Sequence, residues 1–189
     1  MKNLSVLILL LSISLNMYSQ QVKITTSLGD ITIKLEPDKA PITVENFLKY
    51  VGGGHYKGGS FYRTVHANNQ PDSPVKITVI QAGVHPWKQN FLFEPIPLER
   101  TNRTGIKHKN GTISMARSEP SSAQESFFIC IGDQPELDFG GKRNPDLLGF
   151  AAFGQVIDGM DVVNKINTSP SDGQAIVPPI LILDVAILE

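Results

Sequence analysis

Short stretches of alternating apolar and polar side chains recur along the chain, and they constrain its fold more than any other feature. The first stretch, VKITTSLGDITIKL at 22–35, alternates on both sides of Leu28-Gly29-Asp30 and predicts a β-hairpin with a glycine turn. Further strands rich in β-branched and aromatic residues are predicted at 60–65, 77–83, 111–116, 126–131, 150–156 and 180–188. Loops rich in Gly, Pro, Asn and Asp separate them, which indicates a mostly antiparallel β domain.

Two segments have helical periodicity instead. In PITVENFLKYVGGG the apolar residues recur at i, i+3, i+4 and i+7, with Thr43 as the predicted N-cap and Gly52 as the predicted end. In DGMDVVNKIN, Asp158 is the predicted N-cap of a second helix. Two helices and roughly eight strands predict a closed eight-stranded antiparallel β-barrel capped by two α-helices, because closure removes exposed strand edges.

The first twenty residues, MKNLSVLILLLSISLNMYSQ, form a separate segment. Lys2 is their only charge and a nearly continuous apolar run follows it, which is typical of a secretory signal peptide rather than of a membrane span or a buried helix. We therefore predict a signal peptide at 1–20 and one domain at 21–189. The mature protein should be exported, either periplasmic or secreted, without membrane insertion.

Composition excludes several classes of function. The net charge is −1 and no basic stripe occurs, so nucleic acid is not an expected partner. The single cysteine, Cys130, cannot form an internal disulfide, and we expect it to be a small buried hydrophobe. No histidine stands at metal-ligand spacing and no G-x-S-x-G motif occurs. We therefore expect no metal and no cofactor, and we expect a monomer.

An arginine on an otherwise apolar strand needs an explanation. In FYRTV, alternation places Phe61, Arg63 and Val65 on one face and Tyr62 and Thr64 on the other. An unpaired guanidinium is costly to bury, so Arg63 must reach water, pair with an acid or line a site.

The same rule groups Ile77, Val79 and Gln81 on a second strand, and Ser126, Phe128 and Cys130 on a third. If Arg63, Gln81 and Phe128 share an outer face of the barrel, they form a groove with an apolar floor, a cation and an amide. In the alternative, Phe128 is core, Gln81 is solvated and Arg63 extends from a strand edge into water. Alternation alone favours the alternative.

A series of motifs resembles the cyclophilin-type peptidyl-prolyl cis/trans isomerases, in particular their exported bacterial branch. In chain order these are APITVENFLKYV, FYRTV, VIQAG, NGTISMAR, SSAQESFFICIGDQPELD and GFAAFGQVIDGMDVVNKI. The resemblance covers the chain from Val22 to the C-terminal strand, implies the capped eight-stranded barrel, and favours the groove over its alternative.

The resemblance also implies roles for individual residues. Arg63 matches the catalytic arginine, Gln81 the groove glutamine beside it, and Phe128 the aromatic floor of the proline pocket. Leu137 matches the leucine wall of that pocket, and Val79 stands where methionine is frequent.

Four further positions complete the implied substrate-binding set. Ala116 and Arg117 match the strand end that receives the residues preceding proline. Ser126 replaces a common glutamine, and Phe150 replaces a common histidine. Outside this set, Thr78 stands where a phenylalanine often helps to form the pocket.

The resemblance implies an isomerase that accelerates X–Pro bond rotation in unfolded client proteins and other proline-containing polypeptides. One alternative is a non-catalytic module that only binds proline-containing peptides. Another is a barrel that holds a small apolar ligand inside, against which the two capping helices argue.

Overall fold

The computed structural model describes residues 20–188. The predicted signal peptide, except for Gln20, lies outside the described residues. The nine strands are β1 (Gln21–Thr26), β2 (Gly29–Leu35), β3 (Ser60–Val65), β4 (Val79–Gly83), β5 (Thr112–Met115), β6 (Phe127–Cys130), β7 (Ala151–Asp158), β8 (Ser171–Asp172) and β9 (Ala175–Leu188). The α-helices are α1 (Pro41–Gly52), α2 (Thr101–Thr104) and α3 (Met160–Asn167). Within 20–188, no helix has the length and apolar character to cross a bilayer.

The strands form a closed antiparallel barrel, as predicted. Neighbouring strands follow the order β1-β2-β7-β5-β6-β4-β3-β9, and pairing of β9 with β1 closes the circle of eight. At the closure Ile24 lies between Ile31 of β2 and Val185 of β9. Closure leaves no long unpaired edge among these eight strands.

The ninth strand, β8, was not predicted. It is two residues long and pairs with the first residues of β9, Ala175 and Ile176, so that Gly173 and Gln174 form a hairpin tip. β9 therefore begins at Ala175 rather than at the predicted residue 180. The tip matters because Gln174 reaches the candidate site described below.

Aromatic side chains fill the interior of the barrel beneath α1. Phe47 of α1 is fully buried, and its ring centroid lies 5.4 Å from Tyr56, 5.6 Å from Phe127 and 5.2 Å from Phe153. Edge-to-face and tilted contacts of this kind add to the free energy gained by burying the rings. Side chains thus occupy the interior, which argues against a ligand-filled lumen.

The predicted N-cap of α1 is wrong. Thr43 lies inside the helix, which begins at Pro41 with Ala40 as its N-cap. The backbone nitrogen and hydroxyl of Thr43 both donate to Oε2 of Glu99, at 2.7 and 2.6 Å. A carboxylate from a distant segment therefore satisfies the free N–H groups of the first turn and complements the helix dipole.

The predicted N-cap of α3 is also wrong. Asp158 is the last residue of β7, and Gly159 is the N-cap with a φ of +88°. A side chain there would clash with the backbone oxygen of Asp30, so the sharp turn from strand to helix needs glycine. α3 then packs against β2, β3 and β4.

A substitution in α1 tests how much of the stability comes from this aromatic interior. Phe47→Ala removes a fully buried ring and should lower the free energy of unfolding by about 3–5 kcal/mol in urea denaturation. Ile42→Ala on the same helix is the control, since Ile42 is 42% exposed, and it should cost less than about 1 kcal/mol. Equal losses in the two variants would contradict the assignment of Phe47 to the core.

Candidate active site

A cavity of about 210 Å³ lies on the outer face of the barrel. Eight of the nine site residues predicted from the sequence line it: Arg63, Val79, Gln81, Ala116, Arg117, Phe128, Leu137 and Phe150. The ninth, Ser126, lines an adjoining cavity of about 230 Å³ that shares Gln81, Ala116 and Arg117 with the first. The structure therefore brings the predicted set together, as the groove hypothesis requires.

A β-bulge in β3 turns Arg63 toward this cavity. Phe61 pairs with Ala82 and Arg63 with Gln81, so Tyr62 is an extra residue between consecutive pairs. The extra residue shifts the alternation. The prediction that Phe61 shares a face with Arg63 is therefore wrong, because Phe61 is fully buried in the interior while Arg63 and Val65 lie on the cavity side.

Two neutral amides hold the guanidinium of Arg63. Nη1 donates to Oε1 of Gln81 at 2.7 Å, while Nε and Nη2 donate to Oε1 of Gln174 at 2.9 and 2.6 Å. Within residues 20–188, no carboxylate lies within 4 Å of it. Burial lowers the pKa of Arg63, yet a guanidinium remains charged. The site therefore contains an oriented positive charge that no acid neutralises.

The hydrogen-bonded chain continues beyond Gln81. Its Nε2 donates to the hydroxyl of Tyr62 at 2.7 Å, and that hydroxyl lies 3.1 Å from Oγ of Ser126. Tyr62 was assigned to the opposite strand face and is a further residue of the site. The amide of Gln81 is thus fixed at both ends, which sets its oxygen toward Arg63.

An apolar floor faces the guanidinium. Phe128 is 5% exposed, and its ring meets Phe150 edge-on at a centroid distance of 5.3 Å. With Val79 and Leu137 it belongs to an apolar cluster separate from the barrel interior. Ile77 supplies the next part of the wall, whereas Thr78 does not line the cavity. This part of the cavity is therefore apolar, although Thr78 stands where the resemblance implied a phenylalanine.

A buried polar group supports the Phe128 ring from behind. His108 is 1% exposed and stacks on Phe128, with centroids 5.9 Å apart. Its Nδ1 lies 2.8 Å from Oδ1 of Asp138 and its Nε2 lies 2.9 Å from Oγ of Ser114. These are the residue types of a hydrolase triad, but Ser114 is fully buried, so its hydroxyl cannot meet a substrate.

Burial fixes the protonation of this group. Desolvation lowers the pKa of His108 below its usual value, even though the hydrogen bond to Asp138 acts in the opposite direction. Burial by itself would raise the pKa of Asp138, but the hydrogen bonds from His108 outweigh it and leave that pKa lowered. Near neutral pH, a neutral imidazole therefore donates from Nδ1 to a carboxylate and accepts from Ser114.

Arg117 connects β5 to the loop at 138–149. Its Nη1 and Nη2 donate to the two carboxylate oxygens of Asp146 at 2.7 and 2.9 Å, and its Nε donates to the backbone oxygen of Gly149 at 2.8 Å. The guanidinium also lies over the ring of Phe150, at 5.3 Å. The side chain of Arg117 thus fixes a wall of the cavity, and Asp146 balances its charge.

Three further residues belong to the site but were not predicted from the sequence. Arg143 and Asn144 line the cavity from the 138–149 loop, and Gln174 reaches Arg63 from the β8–β9 hairpin. No periodicity in an irregular segment tells which way a side chain points, so Arg143 and Asn144 had no sequence signal of their own. Gln174 had no sequence signal, because it lies 111 positions from Arg63.

The buried imidazole makes stability depend on pH. An unfolded His108 has a pKa near 6.5, whereas the folded one is lower, so the unfolded state binds more protons and stability falls as the pH decreases below about 6.5. Urea denaturation at about pH 7.5 and about pH 5 should show a smaller loss for His108→Gln than for the wild type. An equal loss would contradict the burial of a neutral His108.

Comparison with known proteins identifies the family of this chain. Residues 21–187 match the family model described as "Cyclophilin type peptidyl-prolyl cis-trans isomerase/CLD". Peptidyl-prolyl cis-trans isomerase B of Escherichia coli (strain K12) is 40% identical over 143 residues, which cover 75% of this chain and 80% of that protein. Peptidyl-prolyl cis-trans isomerase cyp18 of Streptomyces antibioticus is 37% identical over 175 residues, covering 88% and 98%.

A solved structure extends the comparison to the fold. The crystal structure of a cyclophilin type peptidyl-prolyl cis-trans isomerase from Cryptosporidium parvum superimposes with a TM-score of 0.73 at 25% sequence identity. The superposition covers 91% of this chain and 99% of that one. The chain therefore belongs to the cyclophilin-type peptidyl-prolyl cis-trans isomerase family.

Proposed function

We propose that this chain is an exported isomerase in which Arg63 donates a hydrogen bond to the prolyl nitrogen of a substrate while Phe128 and its neighbours hold the proline ring. Family membership supports the reaction. The observation that carries the assignment of Arg63 is that its guanidinium has no acidic partner within residues 20–188 and that Arg63 lines the same cavity as Phe128.

Rotation about the X–Pro bond requires no bond to break. The barrier of about 20 kcal/mol exists because the nitrogen lone pair is delocalised into the carbonyl group. In the twisted transition state the prolyl nitrogen regains its lone pair and becomes a hydrogen-bond acceptor. A donor directed at that nitrogen therefore binds the transition state more strongly than either planar isomer, and such differential binding is what accelerates a reaction.

Arg63 has donors available for this role. A guanidinium carries five N–H groups, and the three hydrogen bonds to Gln81 and Gln174 use three of them. Five minus three leaves two, one on Nη1 and one on Nη2. The two glutamines accept hydrogen bonds from Arg63 and thereby orient its two remaining N–H groups. Because the glutamines are neutral, Arg63 keeps its charge, and that charge strengthens any hydrogen bond that the remaining N–H groups donate.

The apolar walls have a different task. Phe128, Leu137 and Val79 would hold the pyrrolidine ring while the acyl side of the bond rotates. Ala116 and Arg117, at the opposite end of the cavity from Ile77, would receive the residues that precede proline. Uniform binding by these walls does not lower the barrier, but it positions the prolyl nitrogen near Arg63.

Proline-containing segments of proteins exported from the cytoplasm are the proposed substrates. The signal-peptide pattern at 1–20 supports export, and slow X–Pro isomerisation limits the folding of many such chains. The periplasm or the external medium is then the proposed site of action.

Removal of the guanidinium tests the catalytic assignment. If the polar arrangement contributes ~4 kcal/mol of differential stabilisation, Arg63→Ala should lower kcat/KM about a thousandfold in a proline-limited refolding assay. Arg103→Ala, which removes an exposed arginine from α2, is the matched control and should retain full activity. Unchanged activity in Arg63→Ala would refute the role of Arg63, and no acceleration by the wild type would leave only a peptide-binding module.

Export is tested separately on the full chain. Expression in a bacterium with two membranes, followed by cell fractionation and mass measurement, should give a mature protein that begins near residue 21 and lies outside the cytoplasm. A cytoplasmic protein that retains residues 1–20 would contradict export but would leave the isomerase assignment intact.

A further inference from the structure

A second arginine, Arg143, lines the same cavity, and the described part of the chain gives it no acidic partner. Nη1 of Arg143 donates to Oε1 of Gln70 at 3.0 Å, to Oγ of Ser73 at 2.7 Å and to the backbone oxygen of Val75 at 2.7 Å. Across residues 20–188, no carboxylate lies within 4 Å of its guanidinium, and no hydrogen bond involves Nη2 or Nε. The 66–76 loop thus orients Arg143, a residue of the cavity lining, and leaves the N–H groups of Nη2 and Nε without an acceptor among these residues.

The cavity as a whole is positively charged. Its lining contains Arg63, Arg117 and Arg143, and no aspartate or glutamate. Among the described residues, Arg117 is the one of the three with an acidic partner, Asp146. Burial lowers the pKa of Arg143, and the positive charge of Arg63 lowers it further, as expected for two cations near each other. A bound anion would relieve this repulsion.

An unsatisfied donor lies beside Arg143. The side-chain amide nitrogen Nδ2 of Asn144 is buried, and it has no hydrogen-bond partner among residues 20–188. Asn144 also lines the cavity. A buried donor without a partner is costly, so an oxygen acceptor supplied by a substrate would stabilise the bound state.

The strand register fixes which end of the cavity these groups occupy. The backbone nitrogen of Ala116 donates to the backbone oxygen of Ser126, which directly precedes β6, whereas Val79 pairs with Cys130 at the end of that strand. The contact of Arg143 with Val75 lies on the chain before Val79, and therefore at the end away from Ala116. A peptide that enters at Ala116 and places its proline over Phe128 then continues toward Arg143.

We infer, on the basis of the proposed function, that Arg143 and Asn144 form a carboxylate-binding subsite that favours substrates with an acidic group directly after the proline. Arg143 supplies a planar fork of charged donors, and Asn144 supplies one more. The acidic group has two sources, the side chain of an aspartate or glutamate, or the terminal carboxylate of a chain that ends in proline.

Paired peptides test the subsite in the full mature protein. Calorimetric titration should show that a peptide with Pro-Glu binds about tenfold more tightly than the same peptide with Pro-Gln, and that Arg143→Gln brings this ratio close to one. Asn144→Ala should reduce the ratio severalfold, and Arg103→Ala should leave it unchanged. A glutamate placed before the proline should give no gain.

Two further peptides show whether the bound carboxylate belongs to a side chain or to a chain end, and the test does not depend on catalysis. Peptides that end in proline, as free acid or as amide, report on the terminal carboxylate, and a preference confined to the free acid supports the subsite with chain ends as its ligand. Because the readout is binding, it stands even if refolding assays show no isomerisation.

A second test uses only the wild type and varies the salt concentration, so its result does not depend on how Arg143→Gln affects the 138–149 loop. The preference for Pro-Glu should shrink as ionic strength rises from about 0.01 M to about 1 M, because the screening length falls from about 30 Å to about 3 Å. Equal affinity of the wild type for Pro-Glu and Pro-Gln and for both chain-end forms, or a preference that Arg143→Gln retains, would overturn the inference.

Discussion

The hydrogen bonds between Arg63 and two glutamines are the interaction on which the site depends. An acid in place of either glutamine would have fixed the guanidinium equally well, but it would have neutralised the charge that the proposed mechanism uses. Gln81 and Gln174 provide orientation without neutralisation. Gln174 is fixed in turn by a hydrogen bond from its Nε2 to the backbone oxygen of Asn69 at 3.0 Å. The cost of partly burying the charge is the reason that so many neighbouring residues are committed to it.

The closed barrel makes that arrangement rigid. Adjacent strands β3, β4 and β6 present Arg63, Gln81 and Phe128 side by side, and register pairs Gln81 with both of the others. Because side chains alternate between faces, residues that neighbour the site residues in sequence, such as Ile80 and Phe127, pack inside the barrel. The aromatic interior and the outer cavity therefore share the same strands, and the packing of one supports the geometry of the other.

Two loops, 66–76 and 138–149, supply side chains around the cavity in addition to those of the strands. Arg117 fixes the 138–149 loop through Asp146 and Gly149, and Arg143 joins that loop to the 66–76 loop. Both loops are irregular segments, yet their side chains are cross-linked by hydrogen bonds to neutral and charged partners. These contacts surround the cavity with groups that the strands alone do not supply, and loops of this kind on a rigid scaffold can change without any change in the barrel.

The sequence by itself predicted the eight strands of the barrel, the two main helices and the closure of the barrel, and it grouped nine candidate site residues that the structure brings to two adjoining cavities. Hydrophobic periodicity and turn residues are local signals, and they suffice where a strand is regular. Tertiary structure decided the rest. The bulge at Tyr62 places Phe61 on the interior face of the barrel instead of the predicted outer face. The carboxylate of Glu99 accepts the hydrogen bonds at the start of α1 that Thr43 was predicted to accept, and Gln174 accepts two of the three hydrogen bonds that Arg63 donates. Each depends on a contact between distant segments, and a contact of this kind leaves no periodic trace in the sequence of either partner.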